Sequence, residues 1–277
     1  MSDKRRGDDD RRMTKAERRD EARRQRIEIQ RQMARRRKNR TIVVALAIGL
    51  AGVIVAVVAF SGSGGGLPAP ADLLARAKDA AQAASCTEVQ TIPPFDPANV
   101  TGDPSAIPPD ANIDGDHVGS TYDPTDPPLS AYPSVPPTSG PHAPTGTPGP
   151  LPAGMYEAPP DVYRAIHSLE HGGTIVWYSP TASGEQLQQL KDFYGQRLID
   201  EAVGQDRVIV APYDYPEQDR AGRLPDGVQM ALVAWHRLET CVQVNLAAAF
   251  DFTSQYSAPQ YAGRTYLGEA PEAGGRF

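Results

Sequence analysis

Apolar residues are spread unevenly along the 277-residue chain. The first segments have little apolar order. "TKAERRDEARRQRIEIQRQMARRRK" (14–38) is rich in helix formers but lacks an apolar face, which predicts a solvated or lipid-surface helix, in part disordered. The pattern then reverses. "IVVALAIGLAGVIVAVVAF" (42–60) holds 19 residues without a charged or strongly polar side chain. At ~1.5 Å per residue it is about 28 Å long, close to the ~30 Å hydrocarbon core of a bilayer. The expectation is a single transmembrane helix. A cleaved signal peptide is the alternative, but this run is longer than the roughly 7–15 residues of a signal h-region, and a long basic segment precedes it.

Beyond it, "SGSGGGLPAP" (61–70) reads as a flexible spacer and "ADLLARAKDAAQAAS" (71–85) as an Ala-rich helix. Residues 93–160 carry 19 of the 27 prolines and no clear period. A stretch of this length argues either for disorder or for an ordered wrapping loop. It also carries His117, His142, Tyr122, Tyr132 and Tyr156, which makes a loop worth ordering.

The last third is conventionally patterned. "TIVWY" (174–178) and "RVIVAP" (207–212) predict buried strands. "VQMALVAWHRLET" (228–240), launched from the "LPDG" turn, predicts a third strand, and "TEVQTI" (87–92) a possible fourth. "SGEQLQQLKDFYGQRLIDEA" (183–202) predicts a helix with Ser183 as N-cap, and "NLAAAFDFTSQY" (245–256) a final helix. The fold class expected is α+β: a small mixed sheet with flanking helices and a long Pro-rich wrapping loop, preceded by one transmembrane helix. The divisions are a basic arm (1–40), the membrane helix (41–60), spacer and Ala-rich helix (61–85), the α+β domain (86–260) and a C-terminal tail (261–277).

Charge gives the chain an orientation. The net charge of −6 divides into 17 Lys/Arg against 8 Asp/Glu in residues 1–40, which is +9, and 11 against 26 in the remainder, which is −15. Cations abut the apolar run on its N-terminal side, and the first one beyond it is Arg76. Positive-inside bias predicts a single-pass protein of the cell membrane, with a cytoplasmic N-terminus and an extracellular C-terminal domain. The partner so implied is membrane lipid, which the cations of 35–40 engage at roughly 1 kcal/mol each near an anionic surface. No nucleic acid is expected, and no protein partner is indicated. Cys86 and Cys241 both fall on the outer side, where a disulfide forms and persists. Two buried, unpaired thiols are the alternative.

Candidate chemistry is concentrated in the histidines. Four of the five lie between residues 117 and 171. In "PPDVYRAIHSLEHGG" (159–173), Asp161 can cap a short helix and Gly172 can end it in the left-handed conformation. His167 and His171, at i and i+4, emerge on one face, away from the apolar stripe of Val162, Ile166 and Leu169. "PPTSGPH" (136–142) holds His142 on a stiff loop, which avoids ordering a ligand at the moment of binding. His142, His167 and His171, with His117 as a fourth, are the candidate ligands of a divalent transition metal, Zn or Cu. Glu170 is a residue that orients a ligand histidine by hydrogen bonding, or a further ligand. His236 reads as a strand residue beside Trp235.

"HSLEH" also fits the H-x-x-E-H pattern of inverted zinc peptidases, where Glu170 would act as base on a zinc-bound water. The helix stops at once after His171, and no downstream acidic ligand is evident. A non-catalytic metal site therefore ranks ahead of a zinc-dependent hydrolase, and ahead of a purely structural or interaction domain of the envelope.

At these residues the chain resembles a bacterial family known as domain of unknown function 3105. The resemblance rests on "DHVGSTYDPTDPPLSAYPSVPPTSGPH", "HSLEHGGTIVWY" and "VQMALVAWHRLE", and covers about residues 86–256. It implies a single-pass membrane protein with an external domain, and its pattern matches His117, His142, His167, Glu170 and His171. The chain departs from that pattern at Gly154-Met155, where Trp-Gly is typical, and at His236, where a small residue is typical. The resemblance implies no activity.

Overall fold

Both faces of the central sheet are buried, which is why its strands read as unbroken apolar runs rather than alternating ones. The computed structural model describes residues 69–100, 102–118, 126–143, 149–195 and 207–274. The expected basic arm, the transmembrane helix and nearly all of the spacer lie outside the described residues. No helix among the described residues is long and apolar enough to cross a membrane.

The strands are β1 (Gln90–Thr91), β2 (Gly154–Met155), β3 (Thr174–Tyr178), β4 (Val208–Pro212), β5 (Met230–Ala234) and β6 (Arg237–Cys241). They form one mixed sheet in the order β1-β6-β5-β3-β4-β2. β4 runs parallel to β3 and β2, and the other neighbours are antiparallel. The α-helices among the described residues are α1 (Pro70–Ala83), α2 (Val162–Glu170), α3 (Gly184–Gly195) and α4 (Leu246–Tyr256).

Period-two alternation sends the side chains of β3, β4 and β5 into two separate cores. Val176, Tyr178, Val208, Val210, Met230 and Leu232 face one core, shared with Leu73 of α1, Leu190 of α3 and Phe250 of α4. Ile175, Trp177, Ile209, Ala211, Ala231 and Val233 face the other, shared with Val162, Ile166 and Leu169 of α2 and with the Pro-rich segment through Phe95, Leu129 and Tyr132. The wrapping loop is thus the cover of one sheet face, and its apolar anchors contribute about 1.5–3 kcal/mol each when fully buried.

Local signals set the helix ends. Asn245 accepts from the N–H groups of Ala247 and Ala248, capping α4. Ser183 accepts from the N–H of Gln186, whose Oε1 accepts in return from the N–H of Ser183, a capping box. The expected helix continues to 202, but residues 196–202 lie outside the described residues. Asp161 accepts from Tyr163 and Arg164 at the start of α2. At its end, Gly172 takes φ +85°. Its N–H donates to Leu169 O and that of Gly173 to Ser168 O, the paired bonds of a Schellman stop.

Two expectations are corrected. Residues 228–240 are a hairpin rather than one strand: Ala234 pairs with Arg237 across a two-residue loop, Trp235 and His236. His236 sits in that loop at φ +56°, so it is not a strand residue. Its turn is hidden in the sequence because a histidine, rather than glycine or asparagine, takes the left-handed conformation. "TEVQTI" contributes only Gln90 and Thr91, an exposed edge beside β6. Just before it, a disulfide joins Cys86 to Cys241, tying the end of α1 to the end of β6.

Candidate metal site

Backbone pairing brings the histidines of the Pro-rich segment together. The N–H of Gly140 donates to Asp114 O (2.9 Å), that of His142 to Asp116 O (2.9 Å), and that of Val118 to His142 O (2.8 Å). Residues 114–118 and 138–142 therefore run side by side, and His117 comes to face His142 with ring centroids 4.9 Å apart. The Asp114 carboxylate pins this pairing. Its Oδ1 accepts from Phe95 N–H (2.6 Å) and Ser139 Oγ (2.7 Å), while Oδ2 lies 2.6 Å from His236 Nε2. The hairpin turn between β5 and β6 is thereby the anchor for the loop carrying His142. The Tyr132 hydroxyl donates to the Pro141 carbonyl beside it. Gly140 leaves room for this arrangement, since a Cβ there would lie 2.8 Å from the Tyr132 ring.

α2 supplies the other half. The His167 ring lies 4.9 Å from that of His142, 5.5 Å from His117 and 4.9 Å from His171. His167 Nε2 and His171 Nε2 are 3.1 Å apart. Glu170 turns toward the loop, with Oε2 at 3.0 Å from His142 Nε2. Gly115 makes this approach possible: a Cβ on it would fall 2.8 Å from Glu170 Oε1.

Four ligand atoms, one each from His117, His142, His167 and Glu170, lie within 4.8 Å of one another. His171 belongs instead to a second group with Glu170 and Glu272. The structure therefore gathers His117, His142 and His167 tightly around Glu170 and sets His171 at their edge. His142 and His167 are almost wholly buried, Glu170 and His171 are buried, and His117 is half-buried.

Tautomers follow from the partners. His142 Nδ1 lies 2.9 Å from the Gly140 carbonyl oxygen, which can only accept, so Nδ1 carries hydrogen. In the neutral ring the Nε2 lone pair then faces Glu170, close but not aligned as a hydrogen bond. His117 Nε2 and His167 Nδ1 find no hydrogen-bond partner among the described residues. Burial, followed by the neighbouring imidazoles of His142 and His171, drives His167 down to about 4. Burial also lowers His117 and His171. Burial pushes the Glu170 carboxyl up, but the imidazoles of His142, His167 and His117 more than offset this and hold it below the ordinary carboxylate value. At neutral pH His117, His167 and His171 are thus neutral imidazoles beside an ionised Glu170 carboxylate, the protonation states that ligate zinc or copper. The sulfurs of Cys86 and Cys241, near Glu239, are bonded to each other and are not ligands.

Two participants carried no sequence signal. Asp114 acts through contacts with residues far along the chain, and its "DGD" surroundings read as an ordinary turn. Glu272 belongs to the C-terminal segment, yet its N–H donates to Glu170 O (3.1 Å) and its Oε2 lies 3.4 Å from His171 Nε2.

Fold and site together define an α+β domain built around a buried imidazole–carboxylate cluster. A family model described as protein of unknown function (DUF3105) matches residues 129–269, and the chain belongs to that family. Neither the curated proteins nor the solved structures yield a match.

Proposed function

We propose that this chain is a membrane-anchored extracytoplasmic protein whose α+β domain holds a divalent transition-metal ion, zinc or copper, in a non-catalytic site. His117, His142 and His167 supply imidazole nitrogen and Glu170 supplies oxygen. The observation that carries this reading is the His142–Glu170 contact, where an imidazole nitrogen and a carboxylate oxygen meet at 3.0 Å in a buried setting. Around them, nitrogens of His117 and His167 are without hydrogen-bond partners among the described residues. Leaving a buried polar atom unpaired costs about 1–3 kcal/mol, and a cation held among these residues would relieve each unpaired nitrogen that ligates it. Membrane anchoring rests on the apolar run of 42–60 and on the cations before it.

The full-length protein, solubilised in detergent, tests the metal site. Wild type should retain zinc or copper on elemental analysis, and His142→Ala/His167→Ala should lose it; equal content in the two would remove the reading. A zinc-dependent hydrolase would need Glu170 in contact with water and substrate. Its burial against His142 supports holding a ligand set over catalysis. Glu170→Gln separates the two, because a hydrolase would lose turnover while keeping its metal. Alkaline phosphatase fused after Phe277 should be active if the domain lies outside the membrane, and inactive if it does not.

A further inference from the structure

Glu170 belongs to both groups of ligand atoms, the one with His117, His142 and His167 and the one with His171 and Glu272. Two ligands of one ion, each about 2.1 Å from it, are no more than about 4.2 Å apart. His171 and Glu272 do not join the first four within even 4.8 Å, so one ion does not reach the whole set without rearrangement. A carboxylate has two oxygens and can hold two ions about 3.5–4 Å apart.

The second group is built rather than incidental. The C-terminal segment is fastened to the end of α2 by the Ala258 N–H, which donates to Gly172 O (2.9 Å), and by the Glu272 N–H, which donates to Glu170 O. Gly172 permits this closeness, since a Cβ there would lie 2.7 Å from Ala258 Cβ and 3.4 Å from Ala273 Cα. Glu272 is thus delivered to His171 by its backbone. Its carboxylate and that of Glu170 come within 4.8 Å of each other, two like charges converging on an imidazole. Arg207 donates to the His171 carbonyl oxygen (3.3 Å) and compensates part of this charge.

Resting on the metal-site reading above, we infer that a second divalent cation binds between Glu170, His171 and Glu272, with Glu170 bridging it to the inner ion. The outer ion shares a half-exposed carboxylate with solvent, whereas three of the four inner ligands, His142, His167 and Glu170, are buried. The outer position is therefore the exchangeable one, through which metal enters or leaves.

The test is equilibrium dialysis of the full-length, detergent-solubilised protein against Zn²⁺, with zinc counted per chain. Wild type should bind two, and Glu272→Gln, a change at a half-exposed side chain that leaves the fold intact, should bind one. Copper loading should give a spin-coupled pair in wild type and an isolated mononuclear spectrum in Glu272→Gln. One zinc in wild type, or two retained in Glu272→Gln, overturns the second position while leaving the inner site standing. No zinc in wild type overturns both readings.

Discussion

His142 and Glu170 meet at 3.0 Å although they come from a proline-stiffened loop and the last turn of α2. The His142 Nδ1 hydrogen is already committed to the Gly140 carbonyl, so the nitrogen facing Glu170 is the one with ligating capacity. Metal binding should accordingly stabilise the fold. With zinc at about 100 times its dissociation constant, full-length protein should gain about 2.7 kcal/mol against unfolding. His142→Ala should show a smaller zinc-dependent shift in thermal melting than wild type, and a shift equal to wild type would refute the assignment.

Asp114 fixes the loop from behind through Phe95, Ser139 and His236. Asp114→Ala leaves three polar groups without their shared acceptor, and should cost on the order of 3 kcal/mol in denaturant unfolding. It should also weaken zinc binding although Asp114 touches none of the proposed ligand atoms, because His142 then has to be ordered on binding. Asp114→Asn keeps one acceptor oxygen and should fall between the two.

The Cys86–Cys241 disulfide spans 155 residues, a loop that contains all six strands but leaves α1 and α4 outside it. Replacing both cysteines with serine should lower stability by about 5 kcal/mol, mainly through the larger entropy of the open unfolded chain. Because the cysteines lie away from the histidine cluster, zinc stoichiometry in the folded fraction should not change. Unfolding curves and elemental analysis of the same sample check both halves.

Glu239 on β6 provides a pH signature separate from the cluster. Burial, and then the nearby Asp251 carboxylate, raise it to about 7. The folded chain therefore holds this proton more tightly than the unfolded chain, whose value is 4.5. The stability it contributes is complete below pH 4.5 and is lost as pH rises through 7, an effect of about 3 kcal/mol across the window. Glu239→Gln should remove that slope, so that the variant gains on wild type as the solution becomes alkaline. His167 acts in the opposite sense in the metal-free protein, supporting stability above pH 6.5 that is lost as pH falls through about 4. Unfolding free energies measured from pH 4 to 8 for both proteins resolve the two contributions.

What could be read along the chain was whatever depends on near neighbours. The apolar runs of β3 and β4, the Asp161 and Ser183 caps and the Gly172 stop all involve residues within a few positions of one another, and each forms where its pattern places it. The pairing of the only two cysteines was legible for a different reason, since the chain offers no other partner. The β5–β6 turn was not legible, because His236 adopts a backbone conformation that its residue type does not advertise and is held there by Asp114, 122 positions away.

The composition of the cluster divides along the same line. The i, i+4 spacing of His167 and His171 determines by itself that their rings lie together, since one helical turn returns the second to the face of the first. Only the folded chain decides that His117 stands opposite His142, that Glu170 turns toward the loop and that Glu272 reaches His171. Those contacts depend on backbone hydrogen bonds between distant segments, and no periodicity along the chain encodes which distant segments will pair.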